Sequence, residues 1–107
     1  MRYNDGLTLP YADYGISIIT EIELFSYSKL TELEKNNIER LLSHFKIFNI
    51  NDEIKKMTIE IRKNYGVKLP DSIISATALV TGLTLISNDK QLSKIDDLDI
   101  LSLEEFL

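Results

Sequence analysis

The residues best placed to do chemistry are carboxylates at the ends of apolar segments. Glu23 follows Gly15-Ile16-Ser17-Ile18-Ile19, Asp71 heads Ser72-Ile73-Ile74-Ser75-Ala76-Thr77-Ala78, and Asp89 follows Leu83-Thr84-Leu85-Ile86. There is no cysteine, which removes disulfides, thiolate metal sites and cysteine nucleophiles, and the one histidine, His44, cannot build a histidine-rich zinc site. A metal bound by this chain is therefore held by oxygen. Each acid also has a plainer role: Glu23 as the far end of a Thr20-Glu21-Ile22-Glu23 capping box, Asp71 as a helix cap complementing the macrodipole, and Asp89 as a turn residue.

The elements that must position these acids follow from periodicity. Gly15 to Ile19 is short, apolar and rich in β-branched residues, which predicts a buried strand, and the Thr20 capping pattern predicts a helix from there to about Ser28. Thr31-Glu32-Leu33-Glu34 repeats the capping spacing, and Ile38, Leu41, Leu42 and Phe45 follow at helical intervals. Lys46 to Ile50 reads as a strand. Asn51 or Asp52 starts the next helix, whose stripe is Ile54, Met57, Ile61 and Tyr65, and Gly66 ends it. Around Pro70, Asp71 or Ser72 is expected to cap a helix that is apolar and small on more than one face, closed by Gly82. Leu83 to Ile86 is the next strand, Asn88-Asp89 begins a turn or short helix, and Asp99 to Leu101 is a last short strand before a Ser102-capped tail. Strands alternating with helices imply parallel pairing and helices on both faces: an α/β three-layer α/β/α sandwich with a mostly parallel sheet. Ligands in such sheets gather at the carboxyl ends of strands, where Glu23 and Asp89 fall.

At 107 residues with 44% hydrophobic content, the chain is expected to form one domain over residues 1–107, with residues 1–14 as an atypical leading segment. No apolar run approaches the roughly 20 residues of a membrane span and no signal-peptide pattern opens the chain, so a cytoplasmic protein is expected. A net charge of −5 opposes binding of nucleic acid through overall potential. Local strips at Lys55, Lys56, Arg62, Lys63 and Lys68, or at Lys90 and Lys94, remain available, although solvated helix faces account for most of these lysines and arginines.

Lys68-Leu69-Pro70-Asp71-Ser72-Ile73-Ile74-Ser75-Ala76-Thr77-Ala78, with Leu85-Ile86-Ser87-Asn88-Asp89 beyond it, resembles the second half of PIN-domain ribonucleases of the VapC toxin type. The match runs over residues 15–107. It implies that Glu23, Asp71 and Asp89 are both catalytic residues and ligands of Mg2+ or Mn2+, that Ser87 stands where the family has a threonine near the site, and that the reaction is hydrolysis of RNA phosphodiesters. It also implies a homodimer and an antitoxin protein as partner.

The chain departs from that pattern at its start. The family opens with a hydrophobic strand ending in an aspartate, followed by a helix, and this first strand lies in the middle of the sheet. Here the unit is missing or replaced. Asp5 in Asn4-Asp5-Gly6-Leu7-Thr8-Leu9 is the best substitute, yet five residues from Leu9 to Gly15 are too few for a parallel crossover, and Asp13 precedes the strand. The expected consequence is a sheet cut in two and one ligand fewer, with Leu7 to Leu9 pairing antiparallel or filling the gap in another copy. The alternative is a catalytically inactive PIN-like module for dimerisation or antitoxin binding. An unrelated receiver- or flavodoxin-like domain fits less well, because no glycine-rich phosphate loop follows any strand.

Overall fold

A computed structural model describes residues 14–87 and 100–102, and the structural statements below concern these. Asp5, Asp13, Leu7 to Leu9, Asp89, Lys90, Lys94 and the tail after Ser102 lie outside them. The chain runs β1 (Tyr14–Ser17), α1 (Ile18–Phe25), α2 (Glu32–Leu42), β2 (Lys46–Phe48), α3 (Asp52–Tyr65), α4 (Leu69–Thr81), β3 (Thr84–Ser87) and β4 (Ile100–Ser102). The strands form one parallel sheet in the order β2-β1-β3-β4.

Two layers of helix cover that sheet. Gly15 pairs with Leu85, and Leu85 is fully buried beneath Ile74 and Ala78 of α4. Ile16 points the other way, into a cluster with Leu42 and Phe45 beside α2. α3 then packs on α4, with Ile54 and Ile61 against Ile73 and Ala76. The three-layer α/β/α architecture follows from this alternation of side chains along β1.

Several boundaries differ from the sequence expectation. The β-branched run 15–19 is split: the strand stops at Ser17, and Ile18 and Ile19 already belong to α1. Ser17 is the cap, its Oγ accepting a 3.1 Å bond from Ile19 N–H, so Thr20 and Glu23 form no capping box and lie inside the helix. That helix ends at Phe25, short of Ser28. At α4 neither Asp71 nor Ser72 caps. The cap position is Lys68, without a side-chain bond, and Ser72 Oγ instead donates to the carbonyls of Lys68 (2.8 Å) and Val67 (3.1 Å). Here Pro70 in the first turn has already removed one N–H that would need a partner. β2 is shorter than expected, while β3 and β4 each begin and end one residue later than expected. Tyr65, placed on the buried stripe of α3, is 45% exposed.

Other expectations hold. Thr31 and Glu34 make a reciprocal capping box (2.9 and 3.1 Å), Asn51 Oδ1 accepts from Ile54 N–H at 2.8 Å, and Gly66 and Gly82 end α3 and α4 with φ of 64° and 70°, a left-handed geometry that suits glycine.

The sheet is not cut in two. β1 pairs directly with β3 through Tyr14↔Thr84 and Gly15↔Leu85, which closes the position expected to stand open. Gly15 makes the closure tight. A Cβ there would lie 2.7 Å from the Phe48 ring and 3.0 Å from Leu85 Cδ2, so the side chains of β2 and β3 meet over a residue that has none.

Candidate functional site

The site is assembled where strands end and helices begin. β1 stops at Ser17 and turns at once into α1, while α4 joins β3 through Gly82 and Leu83 alone. Because α4 returns to β3 through so short a connection, its first turn lies at the carboxyl edge of the sheet, the edge at which Ser17 and Ser87 end their strands. Glu23 stands on α1 and Asp71 in the first turn of α4, and Ile19 of α1 packs on α4.

Burial separates the two carboxylates. Asp71 is only 5% exposed, in a helix whose residues from Asp71 to Ala78 are all buried. A carboxylate so placed needs compensation for lost hydration, and the positive end of the helix supplies part of it. Glu23 is exposed. It is held by no capping bond, so the plainer role proposed for it does not survive. Asp89, the third expected ligand, lies outside the described residues, and among those residues no group of three histidine or acidic side chains could hold a metal.

Besides Asp71, the buried polar residues of the described chain carry hydroxyls. Ser17, Ser72 and Ser75 are fully buried, Thr77 and Ser87 nearly so, and Thr20 is 6% exposed. Most are satisfied within the chain: Ser75 Oγ donates to Asp71 O (2.8 Å), Thr77 Oγ1 to Ile73 O (2.7 Å), and Thr81 Oγ1 to Thr77 O (2.7 Å). Thr20 Oγ1 is the exception. It is buried and has no hydrogen-bond partner. The oxygen donors of these residues are of the kind that a hard cation takes, while among the described residues no three acids gather to hold one.

Ser17 was not expected to matter as it does, and Thr20, expected as the cap of α1, lies inside the helix instead. The Ser17-x-Ile19 spacing carries the cap signal, but it is hidden inside a run whose β-branched residues read as strand throughout. Elsewhere, Glu21 and Phe25 of α1, Glu39 and Leu42 of α2, Ser43, and Ile47 of the edge strand β2 line a shallow groove of about 260 Å3. The lysines and arginine of the α3 strip are exposed, with Lys55 paired to Asp52 at 3.6 Å.

The PIN domain family model matches residues 6–98. The chain belongs to the PIN domain family. Among solved structures it is similar to a toxin-antitoxin complex from Klebsiella pneumoniae, at 29% identity over 92% of this chain and 78% of that one, with a TM-score of 0.66. Two further PIN-like neighbours show the fold alone. VapBC2 from Rickettsia felis, bound to a DNA fragment from its promoter, is 19% identical over 82% of this chain and 73% of that one, with a TM-score of 0.63. VapBC-5 from Mycobacterium tuberculosis is 14% identical over 84% of this chain and 97% of that one, with a TM-score of 0.59. A comparison with curated proteins finds no match. Among the described residues no helix is long and apolar enough to cross a membrane.

Proposed function

We propose that this PIN domain is a divalent-metal-dependent ribonuclease of the toxin-antitoxin type, with Glu23, Asp71 and Asp89 as its acidic residues. The observation that carries the reading is Asp71: a carboxylate buried in the first turn of α4, at the ligand-binding edge of a parallel sheet, in a chain of this family. Mg2+ or Mn2+ held there would polarise an RNA phosphate and make a water nucleophilic. The protein's own contribution is placement. Asp71 is locked by a helix buried on every side, whereas exposed Glu23 can adjust to the incoming backbone. Ser87, buried at the end of β3, brings a hydroxyl to the same edge of the sheet.

Partners follow from the same relatives and from exposed apolar residues. Ile22, Tyr27 and Leu33 are 55%, 70% and 69% exposed along α1, its following turn and the start of α2, a surface suited to a second copy or to an antitoxin protein. The acidic-rimmed groove lies between the same two helices.

A second reading, an inactive PIN-like module that dimerises or binds an antitoxin, is favoured by one observation. β1 lies directly against β3, so among the described residues no strand brings a further aspartate between them. Mn2+ titration by calorimetry on the wild type and on Asp71→Asn, with RNA cleavage assayed in the same buffer, separates the two. Binding and cleavage lost together in the variant support the nuclease. Binding without cleavage in the wild type favours a site lacking one ligand, and no binding in either protein leaves the interaction module.

A further inference from the structure

Among the described serines and threonines of the helices and their C-caps, those at positions 26, 58, 72, 75, 77 and 81 share one habit: the hydroxyl donates to the carbonyl four residues earlier. Thr20 cannot follow it. Its fourth-preceding residue is Ile16, inside β1, where the backbone is still extended and paired with β2. The Thr20 hydroxyl is thus buried at a strand-to-helix corner with its hydrogen-bonding capacity unused. A buried polar group left in this state is costly, and since no described residue supplies a partner, a bound water is one way to remove the cost.

We propose that Thr20 Oγ1 is an outer-shell contact for a hydrated divalent cation at the carboxyl edge, accepting a hydrogen bond from one of the cation's water ligands. The inference rests on the cation reading above and assigns a residue that reading does not use. Three features point to water on a cation. Thr20 and Glu23 are three residues apart on α1, which places them on neighbouring positions of one helix face. The side chains that Ser17, Thr20, Glu23, Asp71 and Ser87 bring to the ends of β1 and β3 and the starts of α1 and α4 offer oxygen donors only, the donor type a hard cation takes, with the exposed Lys68 at the cap position of α4. Small hard cations keep several of their waters, and a neutral hydroxyl orients such a water without displacing it. Thr20 is accordingly a positioning residue.

The test compares Thr20→Val, which replaces the hydroxyl by a methyl of similar size, with wild type, reading two quantities on the full chain. Without metal, the melting midpoint of Thr20→Val rises by about 4–8 °C, because an unsatisfied buried group is gone. With Mn2+, calorimetry shows affinity weakened by about 10-fold, the usual scale for an outer-shell partner. Thr20→Ser against Thr20→Ala repeats the comparison without the methyl, serine binding about 10-fold more tightly than alanine. A lower metal-free midpoint in Thr20→Val shows that the fold itself satisfies the hydroxyl and overturns the proposal. So does Mn2+ affinity within twofold of wild type while Asp71→Asn has lost it, a result that leaves the cation reading standing. If the wild type binds no Mn2+, both fall together.

Discussion

Helices α2 and α4 are almost equal in length and opposite in how they are held. α2 begins with a complete capping box from Thr31 and Glu34, carries glutamates in its first turn and Arg40 in its last, and buries only Leu42 fully. α4 has no side-chain cap, carries a proline in its first turn, and buries every residue from Asp71 to Ala78. One is stabilised locally by bonds its own sequence supplies; the other is a poor helix in isolation that exists because β3, α1 and α3 surround it. A carboxylate carried by the second kind is held in place by the whole core.

The contrast can be broken in a graded way. Ile74→Ala in α4 removes a fully buried side chain under Leu85, and urea denaturation should show a loss of about 2–5 kcal/mol, against no more than about 0.5 kcal/mol for Leu33→Ala on the exposed start of α2. Ala76→Leu tests whether the small residues of α4 are needed for close approach: overpacking against Ile54 and Ile61 should cost about 1–3 kcal/mol. Thr31→Ala probes the local device of α2. It should cost about 1 kcal/mol and leave the Mn2+ affinity of the domain unaltered, whereas Ala76→Leu, acting through α4, should weaken both.

The smallest effect is electrostatic. The Thr31 backbone N–H, and then its side chain, hold the Glu34 carboxyl below its ordinary value. A carboxylate lowered on folding adds stability that is present above its unfolded value and is lost as pH falls through the folded one. Acid titration of wild type and Glu34→Gln, followed by helical circular dichroism, should therefore show the difference between them shrinking as the solution becomes acidic. A difference independent of pH would mean that the box owes nothing to charge.

How much was legible in the residues divides along the same line. Local hydrogen bonding and periodicity determined the Thr31 box, the Asn51 cap, the glycine ends of α3 and α4, and the alternation of strands and helices that makes an α/β sandwich, because each signal is complete within a few residues. The burial of the helix that carries Asp71 was also legible, from a run too apolar to lie on a surface. Tertiary structure decided the rest. Ile18 and Ile19 have strand propensity yet are helical, because α1 must start at Ser17 for Ile19 to reach the cores around α4 and β3. Asp71 and Ser72 have capping chemistry yet sit past the cap position, which falls at Lys68, and the Ser72 hydroxyl turns back to the carbonyls of Val67 and Lys68. Direct pairing of β1 with β3 was beyond any local signal. It depends on Phe48 and Leu85, 37 residues apart in sequence, converging over a glycine that only the folded sheet brings between them.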